Sequence, residues 1–431
     1  IRLAAQLGSN LSGVLYVLDE PSIGLHPKDN QKLLLSLRNL QSRGNSLLVV
    51  EHDPETILQA DYLIDIGPDA GHNGGNIVGI GKPSEVCQLT ESSTAQYMRN
   101  GIKHPLLGQW RKPPVKSKKT TTESNWMEIR NVTFRNLKNF SVEIPLKRLS
   151  VCCGVSGSGK SSLVRGFLYQ AVKEAIAQKS SALKLANGTL INGNSFLKVI
   201  EVTQNPIGKT PRSTPATYLG VWDRIRSMIS TLPESKAKGF SPSNFSFNVK
   251  GGRCEVCKGA GRIKIEMSFL PNSYIRCEEC DGKRYKDEIL SLYWHGKNIS
   301  EILDFTFEEA AEFFKFDHFL LETFSIMVET GLGYIKLGQI SPTLSGGEAQ
   351  RLKLASELSN GIDKLKHRKL LRRKPNLYIL EEPTIGLHTL DCKKLILLLH
   401  RLVDEGNTVI VIEHDTDVIA EADFLFELGP T

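Results

Sequence analysis

The chain has 431 residues, of which 40% are hydrophobic, so it can form two or three domains with sizeable cores. No apolar run approaches the roughly 18 residues of a membrane helix. Ile1 is not an initiator methionine, and no signal peptide precedes it, which predicts a piece of a longer protein. The net charge of +7 is modest but allows an anionic partner such as nucleic acid.

Two short apolar runs near the start of the chain end in acidic side chains. The run 14–18 leads into Asp19 and Glu20, and the run 46–50 leads into a Glu-His-Asp triplet that contains His52. Ligands bind at the carboxyl ends of strands in open α/β sheets. We therefore expect Asp19 to hold the water shell of Mg²⁺ and Glu20 to orient or deprotonate the attacking water. His52 could sense a γ-phosphate, although a histidine in a surface turn is the simpler interpretation of this residue alone.

Residues 101–126 have the composition of a linker, with prolines and threonines between basic side chains. Such a segment is more often a solvated tether than a nucleic-acid contact, and we predict a tether here. The basic residues are Arg111, Lys112, Lys116, Lys118 and Lys119.

A phosphate-binding loop occupies residues 154–162, whose sequence GVSGSGKSS fits the pattern G-x-x-x-x-G-K-[ST]. The apolar run 149–153 predicts a buried strand before it, and 161–170 predict a helix after it. Its glycines let backbone N–H groups turn inward around a phosphate, and the helix end adds a favourable dipole. Lys160 would reach the β- and γ-phosphates, and the Ser161 hydroxyl would hold Mg²⁺. The predicted nucleotide contacts are Gly154, Gly157, Gly159, Lys160, Ser161 and Ser162.

The next predicted strand, 199–204, ends in Gln204, which is placed to couple a bound nucleotide to the region that follows. Residues 205–220 contain three prolines together with Lys209 and Arg212. Proline removes a backbone donor and resists helical continuation, so we predict an ordered, basic, non-helical loop there.

Four of the eight cysteines form two pairs with the spacing of a zinc site. Cys254 and Cys257 are followed, after nineteen residues, by Cys277 and Cys280, which fits C-x₂-C-x₁₅₋₂₀-C-x₂-C. Four thiolates complete a tetrahedron without a position for water, so we predict a structural zinc ion rather than a catalytic one. Four free cysteines are the alternative. The remaining thiols are scattered and are predicted to be small apolar fillers in a reducing cytosol: Cys87, Cys152, Cys153 and Cys392.

Residues 263–267, between the cysteine pairs, alternate in polarity like a strand, which predicts a zinc-anchored hairpin. Basic side chains edge this hairpin and would suit a phosphate backbone, although lysine-rich surfaces are equally common without nucleic acid. They are Arg253, Lys258, Arg262, Lys264, Lys283 and Arg284.

Residues 344–351 read LSGGEAQR and precede a predicted helix, 352–358. In ATPases that dimerise head to tail, such a Ser-Gly-Gly helix start contacts the γ-phosphate of the opposite protomer. A plain helix cap is the alternative, since serine and glycine are common there. The predicted nucleotide contacts are Ser345, Gly346 and Gly347.

The end of the chain repeats its beginning. The run 377–388 resembles the run 14–26, and the Glu-His-Asp triplet recurs at the same offset of 362 residues. Self-similarity at a fixed offset indicates two copies of one ATPase domain, the first without its front half. The second copy thus supplies Glu381 for Mg²⁺, Glu382 as the catalytic carboxylate and His414 as the γ-phosphate sensor.

Together these motifs resemble the ABC-type ATPases, and the match is closer still to the UvrA family of bacterial DNA excision repair, whose members are components of an excinuclease. The stretches 204–213, 245–254 and 331–338 resemble that family almost residue for residue. The resemblance covers essentially the whole chain. It implies an α/β fold with ABC-type P-loop modules, one partial and one nearly complete, and an inserted zinc-binding module.

The same resemblance implies a domain order. The C-terminal part of a first ABC ATPase module would span 1–100, a basic linker 101–126 and a second module 127–431. The inserted signature and zinc region would lie at about 205–340, with the zinc module at about 250–290.

By resemblance, the chain would be the C-terminal part of an ATP-driven DNA-damage sensor with ATP, Mg²⁺ and Zn²⁺ as cofactors. It would hydrolyse ATP while loading a partner, the UvrB component of the excinuclease, at lesions in double-stranded DNA, without cutting the DNA itself. The family forms homodimers and reads bent or unwound duplex rather than base edges. Candidate DNA contacts are Lys209, Arg212, Lys264 and Lys283.

Three features depart from the family pattern. Glu381 replaces the usual aspartate, 364–374 is a basic insertion, and the first module has no P-loop, signature or partner-binding region. Because each nucleotide in such ATPases lies between one module's P-loop and the other's signature, the chain should not close either site within itself. Two alternatives stay open. One is the ABC ATPase component of a transporter, which would lack the four cysteines, and the other is a non-catalytic zinc and DNA-binding module with a vestigial ATPase.

Overall fold

The computed structural model describes residues 11–429 except 23–24, 26, 69–73, 103, 105, 108, 116–124, 204, 209, 266–272, 368–373, 386 and 388, and only the backbone of 27–28, 360–367 and 389–390. The chain forms two compact units. The first unit contains the residues up to Thr203 and from Arg368 onward, and the second contains Gln204–His367. The predicted contacts Gln204 and Lys209, and part of the basic insertion, therefore lie outside the described residues.

Two sheets and two strand pairs make up the described β-structure of the first unit. The strands are β1 (Leu15–Asp19), β2 (Ser46–Val50), β3 (Leu63–Gly67), β4 (Asn76–Gly81), β5 (Trp126–Phe134), β6 (Leu137–Pro145), β7 (Leu149–Cys153), β8 (Ala182–Leu185), β9 (Gly188–Ile191), β10 (Val199–Val202), β15 (Leu377–Glu381), β16 (Thr408–Ile412) and β17 (Phe424–Glu427). A parallel sheet has the order β10-β15-β16-β7-β17, and an antiparallel sheet has the order β6-β5-β9-β8. The remaining strands pair as parallel β1-β2 and antiparallel β3-β4.

The predicted strand at 149–153 is confirmed as β7, which lies inside the parallel sheet. Parallel strands that are covered on both faces are uniformly apolar. This explains why all five residues of β16 are buried and why four of the five in β7 are buried.

Helices of the first unit flank these sheets. They are α1 (Pro27–Ser42), α2 (Pro54–Leu58), α3 (Pro83–Val86), α4 (Ser93–Asn100), α5 (Tyr169–Gln178), α14 (Thr389–Asp404) and α15 (Thr416–Ala420). The helix predicted at 161–170 extends to the end of α5. It begins with wide turns over Ser162–Leu168, where the Tyr169 amide donates to the Val164 carbonyl five residues back. Its apolar side, with Leu163 and Phe167, belongs to the main core of the unit.

The two copies of the repeat share local structure as well as sequence. In the first copy the Val14 amide donates to Asn45 Oδ1 at 3.0 Å, and in the second the Asn376 amide donates to Asn407 Oδ1 at 3.0 Å. Each asparagine stands just before the second strand of its pair and also donates to a carbonyl at the end of the preceding helix. The predicted internal repeat therefore extends to individual hydrogen bonds.

The copies differ in what covers their strands. Leu15, Val17, Leu48 and Val50 form one apolar face of β1-β2 and are 49–64% exposed. Their counterparts 362 residues later are fully buried in the main core, which also contains apolar residues of the wide helical turns: Leu377, Ile379, Ile410 and Ile412. Within the described part of the first copy, no such helix covers this face.

The prediction that the linker is a solvated tether was wrong at residues 110–112, which contact the second copy and the start of β7. The Trp110 indole Nε1 donates to the Ala420 carbonyl at 2.8 Å, and Arg111 forms ion pairs with Asp404 and Asp423. The Arg148 guanidinium donates to a carbonyl of the same segment at 2.6 Å. These partners lie far away in sequence, so linker composition alone could not reveal the packing.

The second unit is mainly helical, with two short hairpins. Its elements are α6 (Pro215–Tyr218), α7 (Val221–Ser230), α8 (Pro233–Ala237), β11 (Arg262–Ile265), β12 (Ser273–Arg276), α9 (Asp287–Leu290), β13 (Tyr293–Trp294), β14 (Lys297–Asn298), α10 (Ile299–Leu303), α11 (Phe307–Phe313), α12 (His318–Glu329) and α13 (Gly346–His367). Large aromatic side chains such as Trp222, Phe247 and Phe324 fill its interior. None of the helices that the structure describes in either unit has the length and apolar character required to cross a membrane.

The prediction of a wholly non-helical segment at 205–220 was wrong at its end. Thr214 caps α6 by accepting the Thr217 amide, and Pro215 occupies the first helical turn. Proline is tolerated at that position because the first helical amides have no partner in the helix. The Thr-Pro pair was therefore the available signal for a helix start.

Candidate nucleotide site and cysteine cluster

The phosphate-binding loop connects β7 to the wide helical turns. Gly154, Gly157 and Gly159 have positive φ angles of 135°, 81° and 107°, a region that other residues rarely adopt. At Gly154 a Cβ atom would lie 1.9 Å from the carbonyl oxygen of Leu428, so only glycine fits. Asn136 Nδ2 donates to the Gly157 carbonyl at 3.1 Å and supports the loop from the β5-β6 turn.

The Lys160 side chain is buried and folds back onto its own loop. Its Nζ donates to the carbonyls of Gly154 at 2.8 Å and Val155 at 2.9 Å. Burial lowers the pKa of Lys160, and the nearby Glu382 carboxylate acts in the opposite direction. The ammonium thus lies inside the loop, held by two carbonyls that phosphate oxygens could replace.

Ser161 and Ser162 follow the loop, the first exposed and the second buried. Ser161 Oγ donates to Glu381 Oε1 at the carboxyl end of β15. Arg165, one turn further on, donates to Glu381 Oε2 at 3.1 Å and to Glu201, and these contacts raise the pKa of Arg165. The longer glutamate at the position of the expected aspartate therefore reaches the serine hydroxyl directly.

Both copies place a glutamate beside a histidine. His52 Nε2 lies 2.6 Å from Glu20 Oε1, and His414 Nε2 lies 3.6 Å from Glu382 Oε1. Glu20 and Glu382 both have a φ of 44°, a strained conformation that costs roughly 1–3 kcal/mol and is typical of functional sites. Asp19 ends β1 and is exposed. A carboxylate next to an imidazole is an arrangement that can accept a proton from water and orient it.

Sequence reasoning gave no role to Glu51 and Glu413, yet each fixes the loop around its glutamate-histidine pair. Glu51 accepts the Ser22 amide at 2.9 Å and the amide of the following histidine at 3.0 Å. Glu413 accepts the Thr384 amide at 2.9 Å and the next histidine amide at 2.7 Å. Their recurrence at the repeat offset was the signal that could have found them.

The predicted signature residues lie at the start of α13 in the second unit. The Ser345 amide donates to Glu348 Oε2 at 2.8 Å, and the Glu348 amide donates to Ser345 Oγ at 3.2 Å, which is a capping box. Gly346 and Gly347 form the first turn of this helix. The helix cap that was the alternative to a nucleotide contact is therefore present, and the amino end of a long helix also suits an anion.

The four paired cysteines form one buried cluster, with every sulfur within 4.8 Å of the others. The Sγ atoms of Cys254 and Cys277 are 4.0 Å apart, and those of Cys257 and Cys280 are 3.7 Å apart. Tetrahedral zinc with Zn–S bonds near 2.3 Å requires sulfur separations of about 3.8 Å. The Gly261 amide donates to Cys257 Sγ at 3.3 Å, which would stabilise a thiolate. The donor set and its spacing therefore fit zinc.

The basic residues around this cluster are of two kinds. Arg253 is buried and donates to the Asn248 carbonyl, and Arg284 donates to the Gly338 carbonyl and packs over the Phe247 ring. These two arginines are structural, which corrects their assignment to the exposed edge of the hairpin. The other predicted cations of the hairpin edge are exposed, namely Lys258, Arg262, Lys264 and Lys283, and Arg212, in the loop before α6, is exposed as well.

A parallel sheet with a phosphate-binding loop, paired carboxylates and a histidine at its carboxyl edge defines an α/β P-loop module of the ABC ATPase type. No family model matches the chain. The chain is 49% identical over 433 residues to UvrABC system protein A of Thermus thermophilus and 49% identical over 431 residues to that of Staphylococcus epidermidis. Both alignments cover 100% of this chain and 43% of the relative, so the chain spans less than half the length of these proteins.

A solved structure gives the same result. The crystal structure of UvrA2 from Deinococcus radiodurans matches 99% of this chain and 48% of its own, with 42% sequence identity and a TM-score of 0.87. The chain belongs to the family of UvrABC system protein A. This membership confirms the resemblance found in the sequence and argues against the transporter alternative.

Proposed function

We propose that the chain forms an ATP-hydrolysing and DNA-binding part of the damage-recognition component of a UvrABC system. The observation that carries this proposal is the convergence of Lys160, Ser161 and Glu381 at the end of the parallel sheet, with Glu382 and His414 beside one another. The site by itself supports nucleotide binding and hydrolysis, and family membership is the reason for proposing a role in DNA repair.

In this proposal the loop amides and Lys160 bind the phosphates of ATP. The Ser161 hydroxyl and the Glu381 carboxylate would hold Mg²⁺, whose charge would offset that of the transferred phosphoryl group. Glu382 accepts the proton of the attacking water, and His414 orients the γ-phosphate. Glu381 would bind the metal through the carboxylate that Ser161 and Arg165 contact in this structure.

A second chain or a further module is needed to complete the site. The signature residues that begin α13 belong to the same module as the phosphate-binding loop, whereas ATPases of this type pair loop and signature from different modules. The exposed apolar face of β1-β2 supports a partner for the first copy, because the counterpart face in the second copy is buried in the core that also contains the helix after the phosphate-binding loop. Homodimer formation and loading of the UvrB component of the excinuclease are parts of the same proposal.

ATP turnover in the presence of DNA tests the proposal. We expect the chain to hydrolyse ATP slowly and lesion-containing duplex to change that rate more than undamaged duplex of the same length, because DNA binding would be coupled to the nucleotide site. The measurement is phosphate release at fixed protein and salt concentrations. ATP turnover that is indifferent to any DNA would contradict the repair function, and zinc and DNA binding without turnover would favour the vestigial-ATPase alternative.

DNA binding is assigned to the exposed cations of the second unit rather than to its structural arginines. Arg212 lies in the loop before α6, while Lys264 is on β11 and Lys283 follows the second cysteine pair. Lys264 on the hairpin and Lys283 after the second cysteine pair both adjoin the four clustered sulfurs in the chain, and such exposed charges suit contact with a phosphate backbone. Lys209 belongs to the same proposal on sequence grounds alone.

Replacing Arg212, Lys264 and Lys283 together by alanine should weaken duplex binding and flatten its salt dependence. Each lost phosphate contact should lower the slope of log K against log salt by about 0.9. Fluorescence anisotropy with a labelled duplex at several salt concentrations measures both quantities. A matched variant replaces Lys236, Lys238 and Lys315, three exposed lysines of the same unit, and should keep most of the slope. Equal slopes in the two variants would mean that DNA binds elsewhere.

A further inference from the structure

One ion pair is built differently in the two copies of the repeat. In the first copy, the Arg38 guanidinium on α1 donates to both carboxylate oxygens of Asp61 at 2.9 Å. The residues 362 positions later are His400 on α14 and Asp423. The carboxylate is therefore kept in the second copy, while its arginine is replaced by histidine.

Arg111 from the segment between the copies supplies a guanidinium at this place. Its Nη1 lies 3.2 Å from Asp423 Oδ2 and 3.1 Å from His400 Nδ1, and its backbone amide donates to Asp423 Oδ1 at 2.9 Å. Its Nε and Nη2 donate to Asp404 at 3.1 and 2.6 Å. A residue of the linker thus completes an ion pair that the first copy makes internally.

The second copy depends on this contact more than the first copy depends on its own. The side chain of Asp61 is 65% exposed, whereas that of Asp423 is 0% exposed. A buried carboxylate that loses its cation is strongly destabilising, because water cannot replace the partner. Asp423 Oδ2 also accepts the amide of Leu149, the first residue of β7, at 2.9 Å. Arg111 therefore acts through Asp423 on the strand that leads to the phosphate-binding loop.

The residues before Arg111 contact α15, the helix that follows His414. The ring nitrogens of His104 lie 3.1 Å from Asp417 and 3.2 Å from Glu421, and the Tyr97 hydroxyl donates to Asp417 at 3.1 Å. Asp417 belongs to α15, which begins two residues after His414. The described residues of 104–111, which we call the strap, thus contact both α15 and the carboxylate at the start of β17.

We propose that Arg111 is a positioning residue of the second ATPase module. The strap completes that module from outside it: Arg111 fixes Asp423, and the strap holds α15 and with it the distance between His414 and Glu382. The expected effect of Arg111 on ATP turnover rests on the proposed ATPase function. Its expected effect on the position of α15 rests on the contacts of the described residues. The two copies are also connected directly, because Tyr97 on α4 of the first copy donates to Asp417 of the second.

The test compares Arg111→Ala with the double variant Arg111→Ala/His400→Arg. In the single variant we expect amide hydrogen exchange in residues 416–423 to rise at least tenfold and Tm to fall by about 6 °C. We expect kcat for ATP to fall about tenfold with KM within twofold, because the phosphate-binding loop itself is intact. Adding His400→Arg places a guanidinium at the repeat position of Arg38, between Asp423 and Glu421, the buried carboxylate that His400 Nε2 contacts at 2.7 Å, and should recover most of the lost protection and turnover.

Lys112→Ala is the control, since Lys112 lies in the same linker and its side chain is exposed. It should match the parent chain in exchange and in turnover. Unchanged exchange in Arg111→Ala, or a loss that His400→Arg does not recover, would overturn the positioning role. If the parent chain shows no ATP turnover at all, the proposed function fails, and the exchange data still decide whether the strap holds α15.

Discussion

Replacing Glu382 by glutamine is expected to reduce ATP turnover by roughly 100- to 1000-fold while ATP binding is kept. The amide retains the size of the carboxylate but cannot accept a proton from water, and general base catalysis contributes about 10²–10⁴ in rate. Lys160→Ala should instead weaken ATP binding by about 100-fold, because the loop loses its charged donor to the phosphates. Binding of a fluorescent ATP analogue and phosphate release, measured on the same samples, separate the two effects.

Glu174→Gln is the matched control for this experiment. Glu174 is an exposed acid on α5 that contacts Gln178 on the same helix. It should leave both binding and turnover unchanged. A Glu382→Gln variant with parental turnover would remove this residue from the proposed mechanism.

The phosphate-release assay also tests whether the nucleotide site lies between two modules. Because the signature at the start of α13 must act on a different module, turnover should rise more than linearly with protein concentration. Adding a chain that carries the upstream half of the relatives should lift the rate and remove this dependence. Full turnover that is independent of concentration at nanomolar protein would refute the need for a second module.

Substitution of a cysteine in the four-cysteine cluster is expected to abolish zinc binding. We expect one tightly bound zinc ion per chain and its loss in Cys277→Ala, because three thiolates cannot close the tetrahedron that the four sulfurs form. Metal binding contributes folding free energy directly, so the variant and the chelated parent should both lose structure around β11 and β12. Elemental analysis measures the metal, and limited proteolysis measures the local loss of structure.

Cys87→Ala is the control, since Cys87 lies outside the cluster in the first unit. It should retain one equivalent of zinc. Less than half an equivalent in the parent after expression with sufficient zinc would count against the site, as would an unchanged content in Cys277→Ala. Either result would favour the alternative interpretation, in which the four cysteines are free.

Features that depend on neighbouring residues could be predicted from the sequence. The phosphate-binding loop needs a few glycines, a lysine and a serine within nine residues, so its pattern already specified the turn after β7. The cysteine spacing anticipated a four-sulfur cluster because each C-x₂-C pair brings its own thiols together. The constant offset of the repeat pairs the acidic residues and histidines of the two copies without any knowledge of the strands.

Contacts between distant residues were decided by the tertiary structure alone. Arg165 reaches Glu381, 216 positions later, and Arg111 reaches Asp423, 312 positions later. Neither pair has a local pattern, because an ion pair depends on which surfaces the fold brings together. The same holds for Arg253, whose charge suggested an exposed DNA contact until its burial showed a structural role. Sequence determined which groups can do chemistry, and packing determined which of them face a ligand and which hold the framework.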